Sequence, residues 1–219
     1  MKIVALLKNL GLISLLLFVT GCLDSRSVVP VDVVEFVGKP TAGIDVKIVS
    51  VEDIREFQVR PRIPEIPSLP EDEVNNESIK ARAIGRKRNG YGRAMGDVLL
   101  PEGQTVASVV KSSISNSFRQ AGYRVLKKGD AQYNDAFPIS VRVTKFWSWM
   151  EIKVWMQKLR NQSEVTIQGP LEKLKKGMTV SSGHEIPMAA VAMFDSEWQI
   201  SVAQGAAALA DRVAEELKK

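Results

Sequence analysis

Residues 137–146 read FPISVRVTKF, and this stretch decides the fold. Ile139, Val141 and Val143 fall on one side of a two-residue period, and Ser140, Arg142 and Thr144 on the other. A strand with one face on a core and one in water reads this way, which is the usual pattern of an antiparallel sheet. Working outward, Asp45–Val51 (DVKIVSV), Tyr123–Leu126, Ser163–Gln168 and Met178–Ser182 supply further short strands. Ala81–Lys87 and Tyr91–Leu100 flank Asn89-Gly90. That dipeptide favours a two-residue hairpin turn, because both of its positions take positive φ.

Two segments carry a helical period instead. In Val106–Ala121 the residues Val106, Val109, Val110, Ile114, Phe118 and Ala121 recur at 3.6 residues, with Thr105 as the expected cap and Gly122 as the stop. From about Ser196 to Lys219, Ile200 or Val202, then Ala206, Leu209, Val213 and Leu217 form a second stripe. Ala206-Ala207-Ala208 favours helix, and a small-residue face permits close approach to a sheet. The expected class is α+β: an antiparallel sheet with two amphipathic helices packed on one face, preceded by an extended Pro-rich segment.

The N-terminus has a different logic. Met1–Gly21 (MKIVALLKNLGLISLLLFVTG) joins a basic start, Lys2 and Lys8, to the apolar run Leu10 to Val19 and then to small residues. Such a segment is a signal peptide; a membrane span is longer and lacks a small-residue cleavage site. Val19-Thr20-Gly21-Cys22 resembles the lipobox of bacterial lipoproteins, with Cys22 the only cysteine in the chain. The resemblance implies cleavage before Cys22, diacylglycerol on its sulfur and acylation of the new amine. Each buried methylene contributes about 0.8 kcal/mol, so two or three acyl chains hold a protein on a membrane without a spanning helix. Leu23 follows the cysteine, which favours the periplasmic face of the outer membrane; Asp24, one residue on, leaves the inner membrane open.

Composition bounds the rest. The chain of 219 residues has a formal charge of +5; without Lys2 and Lys8 the balance is 28 basic to 25 acidic residues, or +3. That is too mild to propose nucleic acid as a partner. The expected organisation is a signal peptide over 1–21, a lipidated tether over 22–43 and an α+β periplasmic domain over 44–219, with a Pro-rich insertion at about 60–78. Pro61, Pro64, Pro67 and Pro70 recur every three residues, the period of polyproline II. The insertion is either a docking strip or a spacer or long loop around the domain.

Chemistry-bearing residues are sparse. His184 is the only histidine and has no second histidine or free cysteine to share a metal with, so neither metal nor cofactor is expected. No Gly-x-Ser-x-Gly elbow accompanies it, and Glu151, Glu164, Asp195 and Glu197 propose no carboxylate pair. A non-catalytic protein is expected. Arg86, Lys87, Arg88 and Arg93 surround the glycine turn of Gly85–Arg93 and are the candidate anion-binding residues, either a phosphate site or a solvated hairpin tip. Lys145–Arg160 (KFWSWMEIKVWMQKLR) holds Trp147, Trp149 and Trp155, with a hairpin turn expected near Met150-Glu151. Trp149, Trp155 and Met156 are the candidate partner or membrane contacts; the competing reading is that the rings cap the core, as Trp147 is expected to.

Several of these signals fall in an order that resembles the YajG-like bacterial lipoproteins. They are the lipobox cysteine, the strand Asp45–Val51, Ile84-Gly85-Arg86 with Tyr91-Gly92, and the helix ending Gln120-Ala121-Gly122-Tyr123-Arg124-Val125. A Val-x-Val strand running into Phe146-Trp147 and the closing Ala-rich helix complete it. The resemblance implies an outer-membrane lipoprotein without established enzymatic activity and supplies no catalytic residues. The leading expectation is a module tethered to the membrane through the lipid on Cys22, acting by protein–protein contact in an envelope assembly. The rivals are a ligand-binding auxiliary lipoprotein of a lipid or polysaccharide transport system and, third, a cell-wall hydrolase.

Overall fold

A computed structural model describes residues 26–153, 156–188 and 194–219; the signal stretch 1–21, Cys22, Leu23, Asp24 and Trp155 lie outside the described residues. In chain order the elements are β1 (Ser27–Val28), β2 (Asp45–Asp53), α1 (Glu77–Arg82), β3 (Ala83–Arg88), β4 (Ala94–Leu99) and α2 (Val106–Gln120). Then follow β5 (Arg124–Val125), β6 (Phe137–Lys153), β7 (Met156–Gln168), a 3-10 turn (Glu172–Leu174), β8 (Met178–Met188) and α3 (Asp195–Lys218).

The alternating stretch grows into β6, which organises the sheet. One edge pairs antiparallel with β7 along its length, from Ser140↔Gln168 to Lys153↔Met156. The other edge pairs parallel with β2 (Val46↔Phe137 to Asp53↔Val143) and then with β3 (Gly85↔Ser148, Arg86↔Trp149). The strand order is β1-β4-β3-β6-β2-β5, with β7 and β8 continuing beyond β6. The class is α+β, but the sheet is mixed rather than antiparallel. After β4 the chain follows α2 and re-enters the sheet beside the start of β2, so β5 and β6 run in the direction of β2.

A register shift between Val143 and Lys145 changes which side of β6 faces which layer. Ile139, Val141, Val143, Phe146 and Met150 join the core beneath α2 and α3, together with Val110, Phe118, Trp198, Val202 and Leu209. Trp147 and Trp149 instead join Leu69, Ala83 and Leu99 in a second cluster, with Phe57, Val74 and Ile79 against it. The Pro-rich segment covers this second face: Leu69 is fully buried, and Trp147 donates its indole N–H to the Pro64 carbonyl at 3.1 Å. Of the two readings of that segment, the described contacts are those of a loop packed around the domain. The helices of the described chain number three, not two, because Ala81 and Arg82, expected in a strand, end the short helix α1.

Arg55 stitches the layers together. Its guanidinium has no exposed surface and donates to both carboxylate oxygens of Asp53 at 2.7 Å. It also donates to the carbonyls of Lys80 (2.8 Å), Ala83 (2.7 Å) and Phe146 (2.9 Å). All five donors of the fork are used, four elements are tied to one side chain, and its charge is matched by Asp53.

Small residues set the helix–sheet distance. A Cβ at Gly205 of α3 would lie 2.2 Å from Asn161 Oδ1, so helix backbone rides directly on β7. A Cβ at Gly85 would meet the Trp198 ring at 2.5 Å and the Ser148 carbonyl at 2.8 Å. Residues 26–43, expected to form a tether, lie along the domain. Val29 and Val31 are buried, Gln104 bonds both the N–H and the carbonyl of Val31, and Asn116 does the same for Phe36 N–H and the Val34 carbonyl.

Candidate functional site

The basic turn becomes a cleft once the Pro-rich loop is in place. Arg86 and Arg88 are two residues apart on β3 and share a side of the strand, while Arg93 stands just before β4. Arg60 and Arg62 arrive from the loop to complete a cavity of about 540 Å³, with Tyr91 at its rim. No carboxylate lines it. Arg88 is fixed by donating to the Gly92 carbonyl (3.1 Å) and the Ser68 hydroxyl (3.2 Å). Its guanidinium pKa is lowered, first by burial and then by the positive charge of Arg86. An anion in the cleft would favour the charged form and oppose both effects.

Arg86 is partly committed. Its Nε lies 3.4 Å from Asp97, which Arg26 also reaches at 3.1 Å. Burial raises the Asp97 carboxyl above its ordinary value in spite of these two cations. Lys87, expected at the anion site, is not there. Alternation turns it to the opposite side of β3, where it is 5% exposed, bonded to the Ser27 hydroxyl and 3.5 Å from Asp195. The turn also differs from the expected Asn-Gly type. Asn89 Oδ1 accepts from the N–H groups of Tyr91 and Arg93, and the positive φ falls at Gly92 (+80°). Tyr91 is thereby left 99% exposed.

The tryptophan segment divides. Trp147 is buried, as expected. Trp149, expected as a contact surface, is also buried at 6% because the Pro-rich loop lies over it. Met156 is 48% and Ile152 39% exposed at the outer end of the β6–β7 hairpin. Strand β6 continues to Lys153 instead of turning at Met150-Glu151.

A second cavity of about 490 Å³ crosses β7 and β8, lined by Trp149, Arg160, Ser181, His184 and Glu185 among others. Its arginine is paired: Arg160 meets Glu151 at 2.9 Å and Glu185 at 3.0 Å. Lys158, then Arg160, hold the Glu185 carboxyl below the usual glutamate range. His184 is half-buried, with Nε2 2.9 Å from Gln204 Oε1. Among the described residues no three His, Cys, Asp or Glu side chains gather as a metal site, and no helix is long and apolar enough to cross a membrane.

Sequence reasoning found Arg86, Arg88 and Arg93 but missed Arg60 and Arg62. Their only signal was two basic residues at the head of the proline repeat, with nothing to say which turn they would meet.

No family model matches the chain, and no curated protein matches it. Among solved structures, an uncharacterized protein aligns with 88% of this chain and 99% of its own, at 11% identity and a TM-score of 0.46. A Xanthomonas campestris protein from a family of unknown function covers 88% of this chain and 95% of its own, at 10% identity and a TM-score of 0.40. A minor lipoprotein from Acinetobacter baumannii covers 54% and 85%, at 11% identity and a TM-score of 0.35. Likenesses at this level assign neither a family nor an activity, and the YajG-like resemblance remains an expectation from sequence.

Proposed function

We propose that this chain is a lipid-anchored, non-catalytic module of the bacterial envelope, held on the periplasmic face of the outer membrane through Cys22 and acting by protein–protein contact. The observation that carries the contact reading is the edge of the sheet. Strand β8 presents eleven residues, Met178–Met188, and among the described residues it pairs with β7 alone. A long unpaired edge is a ready acceptor for a strand of a partner. Its outward residues Ser181, Gly183 and Glu185 are exposed and polar, which suits a regulated contact better than a permanent one.

The anchor is tested by Cys22→Ser. The expected result is loss of acylation, leaving precursor or soluble protein; normal processed mass and membrane fractionation would overturn the anchor. The edge is tested by photo-crosslinking from residue 183 in intact envelopes. The expected result is one discrete adduct, lost when Ser181 of the same strand is replaced by Pro, which removes a ladder donor. An adduct pattern unchanged by that substitution would remove β8 as the interface.

The arginine cleft favours a second reading, a ligand-binding accessory of a lipid or polysaccharide transport system. Five arginines without an acid in one cavity suit a phosphate or another polyanion.

A further inference from the structure

Three separately positioned features meet at one end of the sheet. The first is the route of the anchor. Strand β1 pairs parallel with β4, Ser27 beside Val98 and Val28 beside Leu99, and Arg26 meets Asp97, so β1 starts on the Ala94 side of that pairing. Cys22 is five residues before Ser27. At up to about 3.4 Å per residue it lies within roughly 17 Å of the folded body.

The second feature is the arginine cleft, which occupies that same end because Arg88 and Arg93 bound the β3–β4 turn. Tyr91 projects from the turn, almost wholly exposed.

The third is apolar. Since Arg86 is level with Trp149 in a parallel pair, β6 runs on past the middle of β3 to Lys153 at this end. There Ile152 and Met156 are exposed, and Gln157, next to Met156, pairs with Met188 at the end of β8. Phe194 is 66% exposed where the chain enters α3. Its neighbour Asp195 bonds the Ser27 hydroxyl and meets Lys87, which fixes Phe194 beside the point where the anchor segment leaves.

We propose that this end of the sheet docks on the bilayer that holds Cys22. Arg60, Arg62 and Arg93 face anionic lipid phosphates, and Ile152, Met156, Phe194 and Tyr91 enter the headgroup boundary. The proposal rests on the lipid-anchor reading for its orientation. Basic side chains beside exposed aromatic and aliphatic ones are the composition of a surface that lies on a membrane. Five residues of tether hold that surface within reach of the lipid, so binding is intramolecular once the anchor is inserted.

The test uses the full mature chain from residue 22 with Cys22→Ser, so that affinity is read without acyl chains. Sedimentation with phosphatidylcholine vesicles containing about one-third phosphatidylglycerol should capture the protein, and pure phosphatidylcholine should not. Replacing Arg60, Arg62 and Arg93 together with Gln should weaken capture roughly 100-fold, counting somewhat less than tenfold per cation at an anionic surface. Met156→Ser with Phe194→Ser should weaken it about tenfold or more. Both sets are exposed, so the melting midpoint should hold and confirm the fold in each variant.

Equal capture by both vesicle types, or by wild type and the arginine variant, overturns the proposal. So does binding of inorganic phosphate or polyphosphate by the cleft without any vesicle capture, which assigns it to a soluble anion. The anchor stands or falls separately, on the mass and fractionation of the Cys22→Ser precursor in cells.

Discussion

Gly205→Ala tests how α3 is seated. In an exposed helix this change stabilises by about 1 kcal/mol, since alanine is the better helix former. Here the added carbon would sit 2.2 Å from Oδ1, 2.4 Å from Cγ and 3.0 Å from Cβ of Asn161. Asn161 is 2% exposed and donates to the Ser148 hydroxyl at 2.9 Å, so it cannot swing aside without breaking a buried bond. Overpacking of this kind costs about 1–3 kcal/mol, and with the obstacle at 2.2 Å the upper part of that range applies, so after the propensity gain the net loss reaches about 2 kcal/mol. For a chain of this size that lowers the melting midpoint by up to roughly 8 °C. Thermal and urea melts of the mature chain read it directly. Asn161→Ala alone should cost about 1–3 kcal/mol through the unpaired Ser148. In that background Gly205→Ala should become neutral or stabilising, because its obstacle is gone. Gly205→Ala melting at or above wild type in the parent chain would refute the close-contact account.

Arg55→Met should destabilise by about 3–5 kcal/mol, since it strands the Asp53 carboxylate and three buried carbonyls; urea melts check it, and a loss below about 1 kcal/mol would contradict the stitching role. Trp147→Ala should cost about 3–5 kcal/mol, whereas Met156→Ala should stay within about 0.5 kcal/mol, and a melting series separates them. Acid should weaken the fold through Glu164, whose carboxyl is lowered by bonds first from Thr144 and then from Ser181. A lowered folded value contributes stability above the unfolded pKa, near 4.5, and loses it as pH falls through the folded value. Asp97 is raised by burial and acts with the opposite sign, favouring the folded state as pH falls. Thr144→Val should therefore shrink the acid limb of the stability curve, and an unchanged limb would remove Glu164 as its source.

What could be read from the chain was whatever local periodicity controls. Helix α2 was expected over Val106–Ala121 and spans Val106–Gln120, because six apolar residues at helical spacing, a Thr105 cap and Gly122 at φ +89° all agree. Strands β7 and β8 were read too short, as residues such as Arg160, Gln162, Ser182 and His184 show no alternation of hydrophobicity. Their strand form comes from ladder pairing with β6 and with each other. The parallel pairing of β2 with β6 joins residues about ninety positions apart, which no local pattern encodes. The site failed for the same reason. Arg86, Arg88 and Arg93 belong to one hairpin, whereas Arg60 and Arg62 reach it only because the proline loop folds back over Trp147. Trp149 looked like a surface ring because its cover lies eighty residues upstream.

Because β6 is the shared neighbour of β2, β3 and β7, the order in which the chain becomes available matters. When residues arrive from the N-terminus, β2 completes early and then waits, with its β6 partner absent until Phe137 and beyond have emerged. Before that moment only near neighbours such as the β3–β4 hairpin and α2 can close contacts at low entropic cost. Val46 and Ile48 meet their β6 neighbours, and Leu69 meets Trp147, only after residue 137 has emerged, so a chain halted before it presents the open side of β2 as a strand seeking any partner.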